Sequence, residues 1–294
     1  MSVVSGRKVV FCEGKRASLD YQLLNGVIAE GTGDEVTIVP SGSKFTFSVF
    51  AQGYFSPNDV ADQRYLVFRD RDFDLNPTSE VKLLPLRPEL SSNSVFLTHR
   101  ACVENYLLAP MLIHAYWQEK CKEKRENPVS RWGHKASPGV EQLNQWIESS
   151  ANELKHYQAV RWALGDLIQA SSSRQQLKTT WTGGSGKLPR MLDSISCRNE
   201  AAVMVDSFRQ AVSTVTLESF NESLEKYETL FAQERFWTER QYLIWFHGKD
   251  LQKEMQKQEP SYISLANYFM WAANEIDITQ HSDLIELRER IKQL

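Results

Sequence analysis

Two short apolar runs end abruptly in acidic residues, and a helical periodicity lies between them. Val9-Val10-Phe11-Cys12 runs into Glu13-Gly14, and Tyr65-Leu66-Val67-Phe68 runs into Asp70-Arg71-Asp72-Phe73-Asp74. Short β-branched and aromatic runs of this kind read as buried strands. Behind the first, Ser18 is a good N-cap, Leu19, Leu23, Leu24, Val27 and Ile28 recur at helical spacing, and Gly31 follows as a stop. Val36 to Val39, closed by Pro40 and Gly42, is a further strand, and Val95 to Leu97 is a short fourth one. Phe45 to Gln52 alternates like a strand, while its place between two parallel strands suits a helix. Strands alternating with helices predict an α/β fold, a parallel sheet with right-handed crossovers flanked by helices.

Composition shifts near residue 110. All eight tryptophans lie at Trp117 or later, whereas seven of the fourteen glycines lie at or before Gly53. The chain therefore divides into a sheet domain over 1–110 and a mainly helical C-terminal region over 111–294. Thr98 is placed to cap a helix through Glu104, Tyr106 and Leu107. Leu143, Trp146, Ile147, Leu154, Tyr157, Val160, Leu164, Leu167 and Ile168 form one long amphipathic stripe. Further helices are predicted near 201–212, 221–231, 239–257, 261–274 and 282–292, with a polar, Gly-rich loop over 171–189.

In an open parallel sheet, ligands bind outside the carboxyl ends of the strands. Two adjacent strands ending at Glu13 and at Asp70 would bring Glu13, Asp70 and Asp72 to one point. Carboxylates that close raise each other's pKa and cannot all stay ionised without a cation. Hard oxygen ligands suit Mg²⁺ or Mn²⁺, one ion or two. Lys15, Arg16, Arg69, Arg71 and Arg100 surround the acids in sequence, with Lys15 and Arg71 the leading candidates for holding phosphate.

An apolar strand ending in Glu-Gly, followed by an apolar strand ending in Asp-x-Asp, resembles the Toprim domain of topoisomerases, bacterial primases and OLD-type nucleases. Val9 to Asp20, Tyr65 to Asp74 and Glu104-Asn105-Tyr106-Leu107 together resemble the branch that works beside a separate ABC/SMC-like ATPase. Within it the chain is most similar to the effector nucleases of PARIS-type anti-phage defence. The resemblance covers residues 7–110, and the helical remainder more loosely. It implies that Glu13, Asp70 and Asp72 are the metal-binding catalytic acids. It further implies that Glu104, or the extra carboxylate Asp74, helps a second metal, Asp74 being alternatively a strand-end cap. A late lysine in related nucleases neutralises charge on the phosphate, and Lys249 in Phe246-His247-Gly248-Lys249-Asp250 matches it. His247 has a lesser claim. The implied activity is Mg²⁺-dependent endonucleolytic hydrolysis of nucleic acid, tRNA before DNA, halting translation in an infected cell. The implied partners are the ATPase and, when the nuclease is active, a second copy of the chain. A noncatalytic Toprim subunit that only binds a partner, and a nucleotide-sugar glycosyltransferase using the Asp-x-Asp, are the alternatives; a haloacid-type phosphatase would carry its Asp-x-Asp after the first strand.

Other classes are excluded or disfavoured. With a net charge of −3, the chain is not a generic nucleic-acid coat, so any such contact needs a metal, a local patch or a partner. Cys12, Cys102, Cys121 and Cys197 form no CxxC pair and no zinc-finger spacing, which suits reduced thiols in a cytoplasmic protein. Leu107 to Trp117 is too short for a membrane span and is interrupted by Pro110 and His114. Gly183-Gly184-Ser185-Gly186-Lys187 fails as a P-loop because Trp181 stands at the first glycine position and Leu188 follows the lysine. Phe236, Trp237, Trp245, Phe246, Phe269 and Trp271 read as helix core before base-stacking residues.

Overall fold

A computed structural model describes residues 8–29, 36–42, 47, 65–86, 94–127, 129–170, 194–213 and 215–294. The strands are β1 (Lys8–Cys12), β2 (Val36–Pro40), β3 (Tyr65–Arg69), β4 (Leu84–Pro85) and β5 (Val95–Leu97). They form one sheet in the order β2-β1-β3-β5-β4, parallel except for β4 at the edge. β4 was not foreseen, because a two-residue strand carrying a proline has no periodicity to read and proline belongs at a sheet edge. Val10 registers with Ile38 on one side and Leu66 on the other, so β1 is central and buried. The connection from β1 leads to β2 on one side, and the chain then crosses back to β3 on the other. The crevice outside the carboxyl ends of β1 and β3 is thus a topological switch point, where ligand sites form in open α/β sheets.

Alternation along the strands feeds two cores. Val10, Cys12, Leu66 and Phe68 face Leu23, Leu24 and Val27 of α1 (Leu19–Ala29). Val9, Phe11 and Val67 face the other way, toward Val39 and Phe47. Full burial of such side chains contributes about 1.5–3 kcal/mol each, and this fixes which face each strand residue takes. The short α2 (Glu104–Leu107) follows β5, and α3 (Pro110–Glu126) begins on a proline suited to a first helical turn. The long stripe forms α4 (Val140–Ala170). Then come α5 (Ser194–Ala211), α6 (Leu217–Ala232), α7 (Glu234–Thr238), α8 (Tyr242–Trp245), α9 (Gly248–Gln258), α10 (Leu265–Glu275) and α11 (Ser282–Gln293). The molecule is α/β, with a mainly helical C-terminal region.

Two expectations change. The single helix expected over 239–257 is broken: α8 stops at Trp245, Phe246 and His247 are extended, and α9 starts at Gly248. The helix expected from Thr98 is only the four residues of α2; Thr98 instead accepts a hydrogen bond from the Arg71 amide and donates to the Arg100 carbonyl. All of Phe45–Gln52 but Phe47, and the 171–189 loop with its glycine run, lie outside the described residues.

Contacts divide the chain into two compact units, one made of the described residues up to Leu154 with Trp237–Leu294, the other Lys155–Phe236. The composition boundary near residue 110 marks where helix takes over from sheet. It does not coincide with these divisions, because Leu284, Leu287 and Ile291 of α11 share the core of β1 and β3. In the second unit Trp162, Tyr227, Phe231 and Phe236 pack together, and Asp166 accepts hydrogen bonds from Ser223, Tyr227 and Lys226. In the first, aromatic side chains of α3, α4, α10 and the turn before α10 pack on one another, as with Tyr116 on Tyr268 and Trp146 on Tyr262, so they serve as core. Among the described residues no helix is long and apolar enough to cross a membrane.

Candidate metal centre

The site is built where β1 and β3 end. After Cys12 the backbone turns at Gly14 with φ +80°, and a Cβ there would lie 2.5 Å from Ser18. Only glycine meets both demands, which gives the Glu-Gly pair its physical reason. Gly14 also pairs with Gly42 through two main-chain hydrogen bonds, of 2.9 and 3.1 Å. The turn brings the start of α1 over the strand ends, and its first-turn acid, Asp20, becomes 8% exposed.

After β3, alternate acids take different partners. Asp70 is buried, its Oδ1 accepting from the Val103 amide at 2.9 Å. Asp72 sits in the left-handed region at φ 51°, which aspartate tolerates better than bulkier residues, and its Oδ1 lies 3.2 Å from His247 Nε2. Asp74 forms an ion pair of 2.8 Å with Arg69.

The third contribution comes from α2. Arg100 donates to the Asn105 carbonyl at 2.6 Å, Tyr106 donates to Asp283, and Tyr268 donates to the Leu107 carbonyl at 2.5 Å. This anchorage holds Glu104 inward, 6% exposed. Gly248 seals the opposite side: its amide lies 3.0 Å from Asn105 Oδ1 and 3.1 Å from Cys102 Sγ. A Cβ at 248 would stand 2.7 Å from Asn105 Oδ1, so the N-terminus of α9 docks here only as glycine. The next residue, Lys249, places Nζ 3.6 Å from Asp70 Oδ2 and 3.7 Å from Glu104 Oε1.

The result is a knot of buried acids around one lysine. Asp20 Oδ1 and Glu104 Oε2 are buried with no hydrogen-bond partner. Burial first, then Glu104 and Glu13, push the Asp20 carboxyl from 3.8 to about 7 against the opposing pull of Lys249. Burial, then Asp20 and Glu104, push Asp70 well up. Burial alone would lower Lys249, but Asp70 and Glu104 outweigh it and hold the ammonium charged beyond its usual range. Asp70, Cys102 and Glu104 each offer a ligand atom within 4.8 Å of the others. Burial, with Glu104 and Asp70 beside it, raises the Cys102 thiol well above its usual range. One lysine cannot balance three buried carboxylates, and two oxygens stand without donors. On both counts the residues present fit a divalent cation.

The structure therefore brings together Asp70, Glu104 and Lys249 of the sequence-derived set, with Asp72 next to them on His247. Glu13 reaches Asp20 electrostatically, but neither Glu13 nor Asp72 belongs to the close ligand set. Lys15 is exposed at the turn after Gly14. Arg71 is a correction. It is fully buried, and its guanidinium donates to the carbonyls of His99, Leu75 and Ile244, which ties the Asp-x-Asp loop to α8 rather than to a phosphate. Asp20, Cys102 and Asn105 were missed. Asp20 reads in sequence as an ordinary first-turn acid favoured by the helix dipole. Its one signal is its place seven residues beyond Glu13, in the first turn of the helix that the Glu-Gly turn launches.

Comparison with protein-family models finds no match, and comparison with curated proteins finds none.

Proposed function

We propose that this centre is a divalent-cation phosphodiesterase site acting on nucleic acid, on a Toprim-like sheet. The observation that carries the reading is the set of three buried carboxylates, Asp20, Asp70 and Glu104, two of them with an unpartnered oxygen, around the single half-exposed ammonium of Lys249. The topological switch point between β1 and β3 and the Glu-Gly and Asp-x-Asp motifs at their ends support the same reading.

Asp70 and Glu104 would hold the ion, with Glu13, Asp20 and Asp72 flanking it and Asp74 held by Arg69. A bound Mg²⁺ or Mn²⁺ supplies charge neutralisation at the phosphate and a water of lowered pKa. Lys249 is shared by Asp70 and Glu104; with those acids engaged by a cation, its ammonium would be placed to meet the phosphate oxygens. His247 is buried, held by Asp72 and stacked on Phe73 at 6.0 Å, so its ring is fixed beside the acids, where it would exchange a proton.

The substrate class, tRNA before DNA, the ATPase partner and the active homodimer follow from the resemblance of residues 7–110 to the defence-effector nucleases. The test is expression of wild type, Asp70→Ala and Glu104→Ala with sequencing of cellular RNA and DNA ends, followed by cleavage with purified protein in Mg²⁺ or Mn²⁺. New ends in wild type alone are expected. Identical end patterns in wild type and both variants would refute the site.

A further inference from the structure

We propose that this centre also takes a thiophilic divalent ion, of the Zn²⁺ class, with Asp70, Cys102 and Glu104 as its three protein ligands, and that Zn²⁺ binds there more tightly than Mg²⁺. Cys102 belongs to no motif that suggested a metal in the sequence. The fold brings its Sγ to within 4.8 Å of ligand oxygens of Asp70 and Glu104, with all three residues buried. Glu104 Oε2, in a side chain more than nine-tenths buried, has no hydrogen-bond partner.

As a thiol, Cys102 donates to Asn105 Oδ1 at 3.0 Å, a bond that ligation would replace, and two neighbours would then support a thiolate. The Gly248 amide approaches Sγ to 3.1 Å at the N-terminus of the eleven-residue α9, so a main-chain N–H and the positive end of a helix both favour negative charge on sulfur. His247 Nδ1 stands 3.9 Å from Sγ on another side. Three protein ligands are the number found in reactive rather than purely structural zinc sites. Mg²⁺ has little affinity for sulfur and leaves the thiol protonated. Ligation by Zn²⁺ breaks the S–H bond, forms Zn–S and releases the proton to solvent, with no change of oxidation state. One pocket thus offers a hard face of carboxylates and a soft face of sulfur, and the two ions compete for Asp70 and Glu104. Competition as inhibition of hydrolysis rests on the proposed function; the binding itself does not.

The experiment uses the full chain. X-ray absorption of the Zn²⁺-loaded wild type should show one sulfur neighbour at about 2.3 Å. Co²⁺ should give a sulfur-to-cobalt charge-transfer band that is lost in Cys102→Ser and kept in Cys121→Ser. Zn²⁺ affinity, read by competition with a chromogenic chelator, should fall at least tenfold in Cys102→Ser, with Mg²⁺ affinity unchanged. Absence of sulfur from the zinc shell, a cobalt band that survives Cys102→Ser, or equal Zn²⁺ affinities in the two proteins would overturn the inference. Any of these beside intact Mg²⁺-dependent hydrolysis leaves the proposed function standing. A sulfur-ligated ion in a protein that hydrolyses nothing would do the reverse.

Discussion

Replacing Asp20 by asparagine should stabilise the ion-free protein, and increasingly so as pH rises. The carboxyl is 8% exposed, lies close to Glu104 and Glu13, and titrates at about 7 in the fold against 3.8 ordinarily. A folded-state pKa above the unfolded one means that stability is fully present below pH 4 and is lost as pH rises through 7. Holding the carboxyl that far up costs on the order of 4 kcal/mol above pH 7, and under about 1 kcal/mol near pH 4. Asparagine keeps the shape and removes the charge. In a unit of roughly 150–250 residues each kcal/mol moves Tm by about 2–4 °C, so the variant should melt roughly 8–16 °C higher at pH 8 in chelator and almost level with wild type at pH 4. Thermal unfolding by circular dichroism across pH in EDTA measures this. Saturating Mg²⁺ or Mn²⁺ should raise wild type by about 2.7 kcal/mol at a hundred times Kd, and the variant by less. A gain independent of pH, or a loss at pH 8, would refute the account of a repulsive carboxylate cluster.

If the proposed function holds, Lys249→Ala should depress turnover more than metal affinity, because the half-exposed ammonium would meet the phosphate rather than the ion; titration and single-turnover rates separate the two. Gly248→Ala should cost more than about 1 kcal/mol and at least tenfold in hydrolysis, because the new methyl meets Asn105 Oδ1 at 2.7 Å. Wild-type Tm and rate in that variant would remove the close approach as a requirement. Arg71→Lys should destabilise by about 2–3 kcal/mol in urea, as three main-chain carbonyls lose their forked donor. A variant that folds normally but loses phosphate affinity would restore Arg71 to the site.

The strands and their order of use were legible because β-branched runs ending in acids carry their own periodicity. Lys8–Cys12 and Val95–Leu97 are where short apolar runs put them, the run Tyr65–Phe68 extends by one residue to Arg69, and Asp70 lies at the strand end that apolar burial demanded. Glu104 and Lys249 came from the resemblance, and the structure brings both to Asp70. The break at Phe246–His247 was not read from the sequence: Gly248 stood out inside 239–257, but the apolar spacing on either side of it suited one helix. The chain leaves the helix there because the Phe246 carbonyl accepts from Asn105 and the Gly248 amide docks on α2. Arg71 looked like a phosphate ligand because charge beside acids is all a linear motif displays; its three carbonyl acceptors are 4, 28 and 173 residues away.

Local chemistry along the chain was enough to decide that β1 and β3 are buried and that acids follow both strands. Those outcomes depend on spacing, side-chain shape and backbone freedom, which are properties of neighbours. Which acids meet was decided by the fold alone. Asp20 arrives by the direction of a helix, Cys102 and Glu104 by the anchoring of one short turn, and Lys249 by a glycine packed on an asparagine. Each depends on long-range contacts whose energies exist only once the chain has closed on itself.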